Sequence, residues 1–144
     1  MPENLPAEAD VTIKGSLSQV WDALVNPDKI KQYMLGATVE SEWKVGSPIV
    51  WKGEWKGKPF EDKGRILEIQ QGKRLRYSHF SPLSGAPDRP ENYHTVTIAL
   101  DGPDGAVHVD LSQDNNPSEK AREESRRNWS MMLDGLKKTV ETEA

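Results

Sequence analysis

Apolar and polar residues alternate through the middle of this sequence, from residue 37 to residue 114, in short segments separated by Gly, Pro and Asp. An alternation with period two is typical of β-strands that bury one face. The spacing of Val11 and Ile13 predicts one further short strand, after a loose leader. We predict the later strands near residues 37–42, 48–56, 59–70, 74–81, 92–101 and 106–113.

Turn residues between these segments indicate which strands pair and in which register. A one-residue slip would move every side chain of a strand to the opposite face of the sheet. We place turns at Gly57-Lys58, at Gln71-Gly72 and, symmetrically, at Asp101–Gly105. The predicted pairs are Trp55 with Phe60, Trp51 with Gly64, Ile49 with Ile66, Ile66 with Tyr77, Gly64 with His79, Leu75 with Ile98, Tyr77 with Val96, His79 with His94, Leu100 with Val107, Ile98 with Val109 and Val96 with Leu111.

These pairings give the sheet one apolar and one polar face. An antiparallel sheet with a single dry face needs another element to cover that face. The predicted outer face carries Lys52, Glu54, Lys56, Lys63, Arg65, Arg76, Ser78, Thr95 and Thr97. The predicted inner face carries Ile49, Trp51, Trp55, Phe60, Ile66, Leu75, Tyr77, Val96, Ile98, Leu100, Val107, Val109 and Leu111.

Three helices are predicted outside the strand region. Ser16 and Gln19 form a capping box at the start of the first helix, and Asn26-Pro27 ends it. A second short helix follows from Pro27 to about Tyr33.

The third helix is C-terminal and supplies the cover for the sheet. We predict Asn116 as its N-cap, with Pro117 at the first helical position and Glu119 completing a capping box. Its apolar stripe consists of Trp129, Met132, Leu133, Leu136 and Val140.

The composition excludes several classes of site and partner. The net charge of −4 gives no reason to expect a nucleic-acid partner, and the absence of cysteine removes disulfides and thiol chemistry. No apolar run is long enough to span a bilayer, and residues 1–10 lack the profile of a signal peptide. We expect a cytoplasmic protein that forms one domain over residues 1–144, with an ordered core from about 8 to 141.

Three segments of the sequence carry a family resemblance: Ile13 with Val20–Leu24 and Asn26-Pro27, Gly64–Ile69 with Arg74–Tyr77, and Trp129 with Leu133 and Leu136. Together they resemble the SRPBCC or START-like superfamily. More narrowly, they are similar to the branch named for the C-terminal domain of the activator of heat-shock protein 90 ATPase. The resemblance implies an α+β helix-grip (Bet v 1-like) fold. In that fold a curved antiparallel sheet of six to seven strands wraps around the long C-terminal helix, and two short helices follow the first strand.

A cavity between the sheet and the last helix is the candidate ligand site, although the same side chains equally suit a closed core. Its weak candidate catalytic groups are His79, His94 and Asp62, with no metal and no cofactor expected. His108 falls on the outer face. The candidate ligand-binding residues are Trp51, Trp55, Phe60, Ile66, Tyr77, His79, His94, Val96, Ile98, Trp129, Met132, Leu133 and Leu136.

Three functions are compatible with these features. The first is binding of a small hydrophobic or amphipathic molecule in the cavity. The second, implied by the resemblance, is a protein-interaction module that contacts a chaperone or another protein. The third is an enzyme of the cyclase or hydrolase kind that uses the cavity histidines. Fold-level analogy does not choose among them.

Overall fold

The computed structural model describes residues 5–34, 36–55, 57–81, 87–116 and 118–142, with only the backbone described at Trp55. Within these residues, seven antiparallel strands form one sheet in the order β1-β7-β6-β5-β4-β3-β2. The strands are β1 (Leu5–Ile13), β2 (Thr38–Ser41), β3 (Pro48–Trp55), β4 (Lys58–Gln70), β5 (Arg74–His79), β6 (His94–Asp101) and β7 (Val107–Asn116). The helices are α1 (Leu17–Val25), α2 (Pro27–Tyr33) and α3 (Glu119–Glu141). The predicted helix-grip architecture is confirmed.

Local capping explains the two short helices. The Ser16 hydroxyl accepts a hydrogen bond from the Gln19 backbone N–H, and the Gln19 side chain accepts one from the Ser16 backbone N–H. Asn26 ends α1 and also caps α2, where its side-chain oxygen accepts from the Asp28 N–H. Pro27 at the first position of α2 has no N–H to leave unpaired. The predicted capping box and helix boundary are confirmed.

The first strand is longer than predicted. It begins at Leu5 rather than near Val11, and it pairs with β7 along its whole length. Ala7 is buried between the exposed residues Pro6 and Glu8. The apolar signal of this segment is weak because alanine is small, so the sequence alone gave it no strand pattern.

The predicted register is confirmed in the centre of the sheet. Leu75 pairs with Ile98, Tyr77 with Val96 and His79 with His94. Ile66 pairs with Tyr77, although the β4–β5 turn holds three residues because Gln70 pairs with Arg74. A bulge between Ile66 and Glu68 absorbs the extra residue.

Two hairpins are shifted by two residues from the prediction. Leu100 pairs with Val109, Ile98 with Leu111 and Val96 with Gln113. The last pair of this hairpin is Asp101 with His108, so its loop is two residues longer than predicted. Gly102 and Gly105 in this loop both take positive φ, and the Gly105 N–H donates to the Gly15 carbonyl.

The second shifted hairpin joins β3 and β4. Trp51 pairs with Asp62, Ile49 with Gly64 and Gly53 with Phe60, and the last pair is Trp55 with Lys58. Gly57 has a φ of +80°, which suits a tight turn one residue earlier than predicted. A two-residue shift keeps every side chain on its predicted face.

The inner face is therefore buried as predicted. Phe60 is half-buried, and the side chain of Trp55 lies outside the described part of the chain. The buried members are Ile49, Trp51, Ile66, Leu75, Tyr77, Val96, Ile98, Leu100, Val107, Val109 and Leu111. α3 covers this face mainly along β1, and α2 packs on both β2 and α3.

Gly64 marks the place where β4 leaves one partner and joins the next. The N-terminal part of β4 pairs with β3, and the C-terminal part of β4 pairs with β5. A Cβ at Gly64 would lie 1.7 Å from the carbonyl oxygen of Ser78. The side chain of any other residue would force these two strands apart, so a larger residue there would disturb the sheet rather than fill a cavity.

The start of α3 differs from the prediction. Ser118 is the N-cap, with its hydroxyl accepting from the Ala121 N–H, while Asn116 ends β7. Pro117, predicted at the first helical position, lies outside the described residues. Within the described part of the chain, no helix is long and apolar enough to cross a membrane.

Asn116 joins the ends of three elements instead of capping a helix. Its amide donates to the carbonyls of Leu5 (2.7 Å) and Gln113 (3.1 Å). Its side-chain oxygen accepts from the hydroxyl of Ser125 in α3 at 2.9 Å. Asn116 is only 2% exposed, so these bonds replace water that the side chain has lost.

We expect Asn116→Ala to lower the free energy of unfolding by about 2–3 kcal/mol, because it leaves buried partners without hydrogen bonds. Urea denaturation measures the change. Asn128→Ala, on the exposed face of α3, is the matched control and should change stability by less than about 0.5 kcal/mol. Equal effects of the two substitutions would contradict the role assigned to Asn116.

Candidate functional site

An apolar pocket lies between the sheet and the three helices. The volume of this cavity is only about 20 Å³, enough for about one water molecule. Sites for small organic ligands usually measure about 300–1,000 Å³. Side chains therefore fill most of the predicted cavity. The lining consists of Leu24, Ile30, Tyr33, Met34, Trp43, Ile49, Trp51, Leu75, Tyr77, Ile98 and Met132.

Two tyrosines supply hydroxyl groups to this pocket. The Tyr33 hydroxyl donates to the carbonyl of Ala23 at 2.7 Å. The Tyr77 hydroxyl forms no hydrogen bond with the described residues, although Tyr77 is only 3% exposed. Burial raises the pKa of both phenols far above the ordinary value, and the neighbouring Tyr77 raises the pKa of Tyr33 further. Both hydroxyls stay protonated at neutral pH, so each keeps a proton to donate.

Trp51 connects the apolar pocket to a group of polar residues. The centroid of its ring system lies 5.2 Å from that of Tyr77 and 5.0 Å from that of His79, which it meets edge-on. The His79 and His94 rings are stacked with centroids 6.4 Å apart. We call Asp62, His79 and His94 the polar corner.

Asp62 and His79 form a hydrogen-bonded pair in the polar corner. His79 Nε2 lies 3.0 Å from Asp62 Oδ2, and the two side chains are 23% and 16% exposed. The second carboxylate oxygen, Asp62 Oδ1, is buried and has no hydrogen-bond partner. The pair fixes the His79 ring and leaves one carboxylate oxygen to accept a further hydrogen bond.

The backbone of β7 determines the tautomer of His94. His94 Nδ1 lies 3.0 Å from the carbonyl oxygen of Asp114, and a carbonyl only accepts hydrogen bonds. His94 Nδ1 is therefore the donor, and in the neutral ring Nε2 is an acceptor. The polar corner offers mainly acceptors.

A strained loop closes one side of the pocket. Trp43 has a φ of +57°, which is rare for a bulky residue. Its N–H donates to the Ser41 hydroxyl at 3.1 Å, and the Ser47 hydroxyl donates to the Lys44 carbonyl at 2.7 Å. These serines hold the loop in a conformation that places the Trp43 indole against the pocket.

The structure separates the predicted ligand-binding residues into groups. Trp51, Tyr77, Ile98 and Met132 line the pocket, and His79 and His94 lie in the polar corner with Asp62. Ile66, Val96, Leu133 and Leu136 are buried in the core. Phe60 is half-buried beside Gly53, and the Trp55 side chain lies outside the described part of the chain.

Trp129 is the remaining predicted ligand-binding residue. Its indole N–H donates to the side-chain oxygen of Gln113, next to Asn116. It is half-buried and packs against the core. This anchor ties α3 to the end of β7.

The part of the pocket that comes from α1, α2 and the β2–β3 loop was not predicted from the sequence. Leu24 and Ile30 have a helical apolar pattern, but that pattern does not distinguish a core residue from a pocket residue. Trp43 stands among polar residues in a loop. An isolated aromatic residue in such a loop is the one signal that could have indicated this part of the pocket.

A histidine on the outer face has a local structural explanation. Asp10 and Asp110 are directly opposite in β1 and β7, and His108 Nε2 lies 3.1 Å and 3.3 Å from their carboxylate oxygens. The other ring nitrogen lies 3.0 Å from the Thr12 hydroxyl. His108 thus separates two like charges that would otherwise face each other across the strands, and its predicted outward position is confirmed.

Comparisons with known proteins relate most of the chain to one family. The model of the family described as activator of Hsp90 ATPase homolog 1-like protein matches residues 14–141. A solved protein from Cytophaga hutchinsonii is 55% identical, with a TM-score of 0.86, covering 99% of this chain and 98% of that chain. Comparison with curated proteins gives no match.

More distant solved structures share the fold. The Aha1 dimer from Colwellia psychrerythraea is 18% identical, with a TM-score of 0.71 and coverage of 94% of this chain and 95% of that chain. CalU16 from Micromonospora echinospora is 19% identical, with a TM-score of 0.73 and coverage of 94% and 75%. At these identities the likeness concerns the fold alone.

The Tyr77 phenol makes stability sensitive to alkaline pH. The unfolded chain ionises its tyrosines near pH 10, whereas burial keeps Tyr77 protonated in the folded state. The folded state then holds more protons, so stability is fully present below pH 10 and falls as pH rises above it, by roughly 1.4 kcal/mol per pH unit for each such tyrosine.

Tyr77→Phe should flatten this alkaline loss. At pH 7.5 it should leave the free energy of unfolding within about 0.5 kcal/mol, because the hydroxyl has no partner to lose within the described residues. Urea denaturation at pH 7.5 and pH 11 measures both effects. A variant that loses as much stability as the wild type at pH 11 would contradict the assignment.

Proposed function

The chain belongs to the activator of Hsp90 ATPase homolog 1-like family, and we propose that it binds a small amphipathic molecule between the pocket and the polar corner. The observation that carries this proposal is the position of Trp51. One ring system borders the apolar pocket through Tyr77 and the polar corner through His79. A molecule that lies along Trp51 would meet apolar walls at one end and hydrogen-bonding groups at the other.

The Tyr77 hydroxyl supports the same mode of binding. Tyr77 as a residue is only 3% exposed, and its hydroxyl is protonated and has no hydrogen-bond partner among the described residues. The hydroxyl can therefore donate a hydrogen bond to a polar group of a ligand. Orientation by a few polar groups in a mainly apolar site is typical of small-molecule sites.

The ligand must open the pocket, because the existing space holds about one water. Three lining residues suit such a movement. Met34 and Met132 have flexible, unbranched side chains that repack readily. Trp43 is held in a strained backbone conformation, so its displacement releases strain while exposing the pocket.

A neutral fluorescent probe tests this proposal. N-phenyl-1-naphthylamine should bind the wild-type protein with increased fluorescence, and Met132→Trp should weaken binding at least tenfold by filling the pocket. Met131→Trp is the matched control, because Met131 is the adjacent residue on α3 and is 68% exposed. Trp43→Gly should strengthen binding, since glycine tolerates the positive φ and opens the pocket.

Equal binding by the two methionine variants would place the probe elsewhere on the protein. Absence of binding by both the wild type and Trp43→Gly would contradict the proposed function. Thermal denaturation of each variant checks that it is folded, since overpacking at Met132 should lower stability by about 1–3 kcal/mol.

A protein-interaction role is the second candidate, favoured by the family match and by two exposed apolar residues. Val45 is 66% and Leu67 42% exposed. Each is adjacent in sequence to a member of the Gly46–Ile66 backbone hydrogen bond, which joins their segments. Exposed apolar side chains that lie close together are typical of protein-binding surfaces.

Co-precipitation with the heat-shock protein 90 of the same organism tests this second candidate. We expect binding by the wild type and loss of binding by the double variant Val45→Asp/Leu67→Asp. No binding at tens of micromolar would exclude a direct complex of this kind. Met131→Asp, which removes an exposed apolar residue from α3, should leave binding unchanged.

A further inference from the structure

We infer that the ligand presents a hydrogen-bond-donating head group, an ammonium or a hydroxyl, to Asp62, and that carboxylate-headed molecules are disfavoured. This inference rests on the proposed function and specifies the chemistry of the same site. It follows from Asp62 Oδ1, a buried carboxylate oxygen with no partner, next to the aromatic wall of the pocket.

The two oxygens of Asp62 have different surroundings. His79 Nε2 contacts Oδ2 at 3.0 Å, while Oδ1 has no partner. A carboxylate oxygen accepts hydrogen bonds and donates none when ionised. A buried oxygen without a hydrogen bond destabilises the protein by its desolvation penalty. A ligand group that donates a hydrogen bond to Asp62 Oδ1 would remove this penalty.

The β3–β4 register places this oxygen beside the pocket wall. Asp62 lies directly opposite Trp51 on the neighbouring strand, and His79 contacts both of them. Side chains at directly opposite positions of an antiparallel pair lie about 5 Å apart at their Cβ atoms. A ligand that lies against Trp51 therefore reaches Asp62 with its head group.

The charges of the site select against an anionic head group. The polar corner and the adjoining rings of Trp51 and Tyr77 include no lysine and no arginine. The neighbouring cations of β4, Lys63 and Arg65, are exposed residues on the outer face. A ligand carboxylate would face Asp62 without a compensating charge, since His79 already pairs with Asp62.

The aromatic walls also favour a cation. The faces of Trp and Tyr rings attract ammonium groups within about 6 Å. Trp51 and Tyr77 both line the pocket, with ring centroids 5.2 Å apart at an interplanar angle of 48°. An ammonium group gains from these walls as well as from Asp62, whereas a hydroxyl gains from Asp62 alone.

Three ligands with the same ring test the inference: 2-phenylethylamine, 2-phenylethanol and phenylacetate. Each competes with N-phenyl-1-naphthylamine at pH 7.5, and NMR signals of the Trp51 and His79 rings locate the site. We expect the amine to bind most tightly, the alcohol next, and phenylacetate at least about tenfold more weakly than the amine.

Two variants separate a local effect from the net charge of the protein. Asp62→Asn removes the charge at the site, and Glu61→Gln removes an equal charge from the exposed outer face of the same strand. The preference for the amine over phenylacetate should fall about tenfold in Asp62→Asn and remain in Glu61→Gln. Unfolding temperatures of both variants report whether each is folded.

The outcomes distinguish the two levels of the proposal. If phenylacetate binds the wild type as tightly as the amine, the inference is overturned while the binding function stands. If the preference survives Asp62→Asn, or disappears equally in Glu61→Gln, Asp62 is not the receiving group. If the probe and all three ligands fail to bind, the proposed function and the inference both fall.

Discussion

The pleat of the antiparallel sheet is the constraint on which the rest of this structure depends. Its period of two commits every second side chain of β3 to β7 to the inner face, and burial of that face requires α3 and α2 as covers. Ile66, Tyr77, Val96 and Ile98 meet on adjacent strands of this face. The pocket is the space left where the side chains of the covering helices and of the sheet do not fully fill the interior. The site and the core therefore lie on the same face of the sheet.

The same period explains how much of the fold the sequence could predict. An error of two residues in a hairpin leaves every face unchanged, so the inner face was predicted correctly even where the partners were wrong. Trp51 is the informative example, because its predicted partner was Gly64 and its actual partner is Asp62. Turn length decides between these registers, and it depends on glycine conformations that composition does not determine.

The start of the last helix shows where prediction from the sequence fails, because tertiary contacts overrode a local capping pattern. Asn116 followed by Pro117 is a good start for a helix in isolation. In the folded chain the Asn116 side chain instead bonds Leu5, which is 111 residues away in sequence, together with Gln113 of its own strand and Ser125 of α3. Such a role is invisible to any pattern within one segment. The residues around the polar corner share this property, because Asp62, His79 and His94 come from three strands.

A nearly filled pocket beside a preformed polar corner has a consequence for selectivity. Opening the pocket reduces the apparent affinity of every ligand by the same fraction, because only the open state binds. That factor cannot distinguish one apolar body from another of similar size. The polar corner is already assembled through the Asp62–His79 bond and the His94–Asp114 bond, so it needs no such opening. The head group of a ligand therefore mainly determines which ligand binds. Trp51 borders both regions, so a ligand whose head group binds in the polar corner has its apolar part beside the pocket.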